Sequence, residues 1–157
     1  MARLLTILLL IVCFTATSCN DTQPTFKRSW VNDEEHIFTP AQVSTFDSII
    51  TANEKVSTNE IAIATLNVPD SVNTDTFATQ LFNKWKIGKK NKNNGVLILL
   101  YPQKRKIVIR NGFGIEPIMS DEATKQIIDE LMIPEYRKGH YFEGTLAGLR
   151  AIIKKIR

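Results

Sequence analysis

Side chains that could bind a hard metal ion through oxygen lie in a few polar segments of the chain. They are the carboxylates of Asp33, Glu116 and Asp121 and the carboxamides of Asn93 and Asn94. Calcium and magnesium ions take carboxylates, carboxamides, backbone carbonyls and water as ligands. The sequence therefore predicts an oxygen-rich divalent-cation site, with Ca²⁺ or Mg²⁺ as the candidate ion.

Several of these residues have an equally simple structural explanation. Asn94 precedes Gly95, a pair typical of a loop that turns into a strand, because Gly allows a positive φ. Asp121 follows Ser120 and would stabilise the first turn of a helix through its charge. Asp33 has no obvious capping target, but an Asx-turn would account for it. The sequence by itself is therefore compatible with both a ligand role and a structural role for these residues.

The familiar signatures of hydrolases and nucleotide-binding proteins are absent from the sequence. His36 and His140 are the only histidines, and neither stands beside a serine nucleophile motif or in a metal-ligand spacing. The Gly112-x-Gly114 pair lacks the third Gly of a dinucleotide fingerprint, and Pro117 interrupts the approach to the next helix. There is no P-loop pattern. The sequence therefore assigns no catalytic residue.

Basic residues are concentrated in two segments, residues 84–92 and 104–106. The net charge of +4 would fall to +3 if Arg3 were removed with a leader, which is too modest for the concentrated basic face that nucleic-acid binding needs. One interpretation is that these lysines are solvated loop residues. The other is that Lys89, Lys90 and Lys92 contact a protein partner, anionic lipid headgroups or a phosphorylated substrate.

The N-terminus predicts where the protein works. Arg3 precedes the apolar run 4–14, and small residues lead into Cys19, as in a bacterial lipoprotein signal of residues 1–18. The run is too short to span a hydrocarbon core of about 20 apolar residues. We expect lipid modification of Cys19, a flexible tether over 19–29 and a domain over 30–157 facing the periplasm; ordinary cleavage with a free Cys19 thiol is the alternative.

The elements that would carry these residues follow from hydrophobic spacing and helix caps. Thr39-Pro40-Ala41-Gln42 predicts a capped first helix, and residues 60–68 are nearly continuously apolar and β-rich, as is typical of a buried strand. A helix is expected from about Asp75, then a hairpin of strands 95–101 and 106–111. Two more helices follow, one capped by Ser120 and kinked or ended by Pro134, the other after Gly139. We predict a three-layer α/β/α sandwich with a mixed central sheet that includes the hairpin.

Several short motifs occur in an order that resembles the TPM domain family. They are Val31-Asn32-Asp33, Trp85-Lys86-Ile87-Gly88, Asn93-Asn94-Gly95 before the apolar run 96–100, and Gly112-Phe113-Gly114-Ile115-Glu116. This family includes a thylakoid lumenal phosphatase-like protein, a photosystem II repair protein and many bacterial envelope proteins. The resemblance covers roughly residues 30–157 and implies that the two Gly-containing loops lie on one rim beside the hairpin.

The resemblance also implies what the domain could do. In TPM domains the first loop often reads Asp-Asn-Gly, with the acidic residue implicated in metal binding, whereas this chain has Asn93 and therefore one formal charge fewer. A weak or missing cation site follows, because affinity depends on the number of charged ligands. The expected function is a membrane-tethered module that binds or assembles envelope proteins; the alternative is a metal-dependent phosphatase acting on phosphomonoesters.

Overall fold

The computed structural model describes residues 29–157. The predicted signal, Cys19 and the tether up to residue 28 lie outside the described residues. The strands are β1 (Val31–Asp33), β2 (Glu60–Thr65), β3 (Gly95–Tyr101) and β4 (Lys106–Asn111). The helices are α1 (Pro40–Ser57), α2 (Thr74–Trp85), α3 (Asp121–Gln126), α4 (Ile133–Tyr136) and α5 (Tyr141–Ile156).

The four strands form one mixed sheet in the order β1-β2-β3-β4. The first three strands are parallel, and β4 returns antiparallel to β3 as the second strand of the hairpin. One face of the sheet packs against α1 and the C-terminal helices, and the other face packs against α2. Alternate residues of β3 therefore belong to different cores: Ile98 faces α1 and α5, whereas Leu97 and Leu99 face α2. The predicted three-layer sandwich is confirmed.

The two parallel crossovers have opposite hands. Both the α1 and the α2 connections step one strand in the same direction across the sheet. Their helices nevertheless cover opposite faces, which is possible only if one crossover is right-handed and the other left-handed. Left-handed crossovers are rare because strand twist favours the right-handed path. The shortness of β1, with only three paired residues, limits how strongly strand twist can direct the first crossover.

Most predicted elements are confirmed, and three points differ. The strand expected over residues 60–68 ends at Thr65, and the other two differences concern β1 and Pro134. The Thr39–Gln42 capping box and Pro40 begin α1, and the hairpin strands have the predicted bounds. The three-residue strand β1 was not expected, since a run this short carries no periodicity. Pro134 does not end the helical segment, because α3 continues through a π-helical turn at Ile127–Met132 into α4. The wider π turn accommodates a proline that lacks an N–H donor.

No helix within residues 29–157 is long and apolar enough to cross a membrane.

Candidate functional site

Two loops meet at the end of the sheet where β3 begins and β4 ends. We call residues 86–94 the lysine loop and residues 112–120 the glycine loop. Gly112 N donates to Gly95 O at 2.8 Å, and Gly114 N donates to Asn93 O at 3.0 Å. A Cβ atom on Gly112 would lie 2.2 Å from Asn93 O. The two loops therefore fit against each other only because glycine has no side chain, and they form the single rim that the sequence predicts.

A groove of about 340 Å³ opens beside this rim, between the glycine loop and α2. Its polar lining includes Asn93, Glu116 and Asp121. These three predicted ligands come from the lysine loop, the glycine loop and the first turn of α3, and the fold brings them to one groove. Asp121 also occupies the first turn of a helix capped by Ser120, so its structural role is real as well.

Asp33 lies at the opposite end of the sheet and does not join this groove. It pairs with Thr65 at the end of β2, whereas Glu60 at the beginning of β2 pairs with Gly95 beside the rim. Five strand steps of about 3.3 Å put the two positions roughly 16 Å apart. The Asp33 carboxylate accepts hydrogen bonds from Ile37 N, Phe38 N and Thr65 Oγ1. The expectation that Asp33 shares a cation site with the loop residues must therefore be corrected. Its carboxylate holds the segment before α1 through N–H groups four and five residues further on, which is a longer-range contact than the Asx-turn considered as the alternative.

Asn94 is a buried structural residue rather than a free ligand. Its Nδ2 donates to Thr58 O and Asn59 Oδ1, both at 2.9 Å, and its Oδ1 accepts from Lys89 N at 2.9 Å. Asn59 in turn donates to Ile156 O at the end of α5. This chain of amides connects the lysine loop to the C-terminal helix. Asn94 is buried by these contacts and does not line the groove.

The three lysines proposed for partner contact have different environments. Lys89 forms ion pairs with Glu54 at 2.6 Å and Glu60 at 2.5 Å. The hydrogen bonds to Glu54 and then Glu60 raise the pKa of Lys89 above its ordinary value. The contribution of the Lys89 charge to folding stability is therefore fully present at pH values below the ordinary lysine pKa, and it is lost as the pH rises through the raised pKa. Lys92 donates to Thr58 Oγ1, and Lys90 is exposed. Lys90 and Lys92 thus remain candidates for partner contact, whereas Lys89 serves mainly to hold the loop.

Sequence reasoning missed three residues that line the groove. Arg110 and Asn111 end β4. Within residues 29–157, each has a buried polar atom without a hydrogen-bond partner, namely Arg110 Nε and Asn111 Oδ1. Phe113 lies between the two loop glycines and is 78% exposed. The available signal was the change from apolar to polar residues at the end of a hairpin strand, followed by an aromatic residue between glycines.

The groove fits a weak cation site better than a strong one. Glu116 and Asp121 supply two carboxylates and Asn93 a carboxamide, all of them hard oxygen donors. Residues 29–157 contain no group of three or more His, Cys, Asp or Glu side chains placed to hold a metal ion. An aspartate at position 93 would supply the missing third carboxylate. A bound ion would therefore need carboxamide, backbone carbonyl and water ligands in addition to the two carboxylates.

The comparison with known families agrees with this architecture. The family model described as the TPM domain matches residues 31–155. The chain belongs to the TPM domain family. No curated protein matches this TPM domain significantly.

Solved structures with the same fold come from several bacteria. The domain is similar to the N-terminal domain of a protein from P. gingivalis, with 28% identity, a TM-score of 0.75 and 81% of each chain covered. It is also similar to the N-terminal domain of a Corynebacterium glutamicum protein, with 16% identity, a TM-score of 0.63, and 87% and 85% coverage of this chain and that one. A protein from Bizionia argentinensis shows 20% identity, a TM-score of 0.68, and 78% and 83% coverage. The last two likenesses concern the fold alone.

Proposed function

We propose that this TPM domain is a binding and assembly module for envelope proteins, held at the membrane by a lipid on Cys19 and facing the periplasm. The observation that carries the proposal is the exposed aromatic ring of Phe113 on a loop fixed by close backbone contacts. Phe113 is 78% exposed and Ile118, on the same loop, is 49% exposed. Two large apolar side chains on one rigid loop are typical of a surface that is buried when a partner binds.

The rigidity of the loop matters for affinity. Gly112 and Gly114 contact the backbone of residues 92–93, and Ile115, in the same loop, is buried in the core. A fixed loop loses little conformational entropy on binding, so more of the burial energy of the ring remains as affinity. Burial of a phenylalanine side chain contributes about 1.5–3 kcal/mol. Phe113 is therefore the residue on which we expect partner affinity to depend most.

The charges around the rim would act at longer range. Lys90 and Lys92 are exposed on the lysine loop, next to the glycine loop that carries Phe113. Exposed charges at the edge of an interface chiefly affect the association rate and its dependence on salt. We expect charge reversal at these two lysines to slow association at low salt and to have less effect at high salt.

Photo-crosslinking in the intact envelope tests the binding surface. A photoreactive phenylalanine analogue at position 113 should form a discrete crosslinked adduct, and the same analogue at Val56 should not. Val56 is a matched control because it is 73% exposed and apolar but lies on α1. With the analogue placed at position 118 instead, Phe113→Ser should lower the recovery of the same crosslinked partner by about tenfold or more. Equal adducts from positions 113 and 56 would refute the proposed surface.

The second candidate function is a metal-dependent phosphatase. The observation that favours it is the convergence of Glu116, Asp121 and Asn93 on one groove that also contains Arg110. A bound cation there would polarise a phosphoryl oxygen, and the guanidinium would favour the same anion. Metal-dependent hydrolysis of a small aryl phosphate, lost in Glu116→Gln and kept in Asp33→Ala, would support this candidate. Purified protein with no turnover in Ca²⁺ or Mg²⁺ would reject it.

A further inference from the structure

A second pocket lies at the far end of the sheet from the rim, beside the carboxyl end of β3. Its volume is about 560 Å³, within the range of small-molecule sites. One wall is the end of β3 with the hairpin turn that follows it, and the other is α4 with the turn into α5. The lining combines apolar and aromatic side chains with three cations, namely Leu100, Ile107, Ile133, Tyr136, Tyr141, Arg105, Lys106 and Arg137. We call it the carboxyl-end pocket.

The charge of this pocket is positive and incompletely balanced. Lys106 pairs with Asp75 at 2.5 Å, but Arg105 and Arg137 have no ion-pair partner within residues 29–157. Among the described residues that line the pocket there is no aspartate or glutamate. The nearby Glu135 already pairs with Lys138 and His140. The guanidinium groups of Arg105 and Arg137 therefore have N–H donors available to a ligand. A guanidinium group can donate two parallel hydrogen bonds to two oxygens of a carboxylate or phosphate.

Tyr136 and Tyr141, two of the tyrosines that line the pocket, supply apolar ring surface, and the Tyr136 hydroxyl is already engaged with Thr145. Their ring centroids are 5.1 Å apart with an interplanar angle of 58°. The Thr145 hydroxyl donates to Tyr141 O, so at the 2.5 Å contact with Tyr136 it must accept the phenolic proton. Burial also raises the pKa of Tyr136, which keeps the phenol neutral. The pocket therefore combines an apolar wall with cationic groups.

We propose that the carboxyl-end pocket binds a small amphipathic organic anion. Arg105 and Arg137 hold its carboxylate or phosphate group, and its apolar body packs against Ile107, Ile133 and the tyrosine rings. A polar ion alone would leave the apolar wall uncovered, and a neutral apolar molecule would make no use of the exposed guanidinium groups of Arg105 and Arg137, which water would continue to solvate. The site is independent of the rim, which lies at the other end of the strands. A free organic acid and the headgroup of an anionic phospholipid share this chemistry.

Titration of the purified, ¹⁵N-labelled full-length chain tests the proposal, with benzoate and phenyl phosphate as the probes. At least one of them should give saturable amide shifts at Ile107, Arg137 and Gly139. Benzyl alcohol, which has the same ring without the charge, should bind at least tenfold more weakly. Arg105→Gln and Arg137→Gln should each weaken binding about tenfold, the usual effect of one charge-assisted hydrogen bond.

The controls separate this site from general charge and from the membrane. Lys90→Gln removes a cation from the opposite end of the domain and should leave probe affinity unchanged. Competition by phosphatidylglycerol vesicles but not phosphatidylcholine vesicles would identify the lipid headgroup as the source of the anion; no competition by either would identify a free organic acid. Equal affinity for benzyl alcohol, unchanged affinity in the double arginine variant, or no saturable shift with either probe would each overturn the proposal.

Discussion

Gly114→Ala should separate the two loops of the rim without changing any side chain that lines the groove. The added Cβ would lie 2.0 Å from Lys92 O, and ordinary van der Waals contact begins at 3.4 Å, so the loops must move apart by about 1.4 Å. Such a shift breaks the 3.0 Å hydrogen bond from Gly114 N to Asn93 O. Overpacking costs about 1–3 kcal/mol and the lost hydrogen bond about 1 kcal/mol, giving about 2–4 kcal/mol in total.

Thermal unfolding followed by circular dichroism measures this cost. For a domain of this size, 1 kcal/mol corresponds to a Tm shift of about 3 °C, so we expect a fall of roughly 6–12 °C. Gly139→Ala is the control, because Gly139 has φ +81° with nothing within 4 Å of the added Cβ. This substitution should cost only the left-handed backbone strain that alanine introduces there, about 1 kcal/mol. If the two variants unfold at the same temperature, the close contact between the loops is not what holds the rim.

Three further predictions concern individual residues. Asn93→Asp should tighten Ca²⁺ or Mg²⁺ binding by adding a carboxylate, as measured by calorimetry. Asp33→Ala should lower stability in denaturation and leave the cation affinity unchanged; a loss of cation affinity in Asp33→Ala would return Asp33 to the site. Asn94→Ala should cost about 2–3 kcal/mol in urea unfolding, since it removes the hydrogen-bond partner of the Lys89 N–H and of the buried Asn59 Oδ1; a near-neutral result would contradict the amide chain. Wild-type protein should incorporate a fatty-acid probe and fractionate with membranes, and Cys19→Ser should not; identical behaviour would reject the lipoprotein assignment.

The sequence was sufficient to predict local structure wherever one short-range interaction dominates. The Thr39–Gln42 capping box fixes the beginning of α1, and the Ser120 hydroxyl accepts from Ala123 N to cap α3. The apolar run of β3, bounded by Asn94-Gly95 and Pro102, gives a strand buried on both faces. Cap spacing and strand composition are properties of residues adjacent in the chain, so they need no knowledge of distant contacts.

The roles of the candidate site residues depended on contacts that no local pattern contains. Asp33 and Glu116 are both loop carboxylates in the sequence, but parallel pairing of β1 and β2 places Asp33 at one end of the sheet, and the antiparallel return of β4 places Glu116 at the other. Lys89 and Lys90 are neighbours of the same type, but only Lys89 reaches Glu54 and Glu60. Residue type thus determined which chemistry was available. Strand direction and long-range pairing decided where that chemistry is placed, because ligands act together only when the fold brings them to the same end of the sheet.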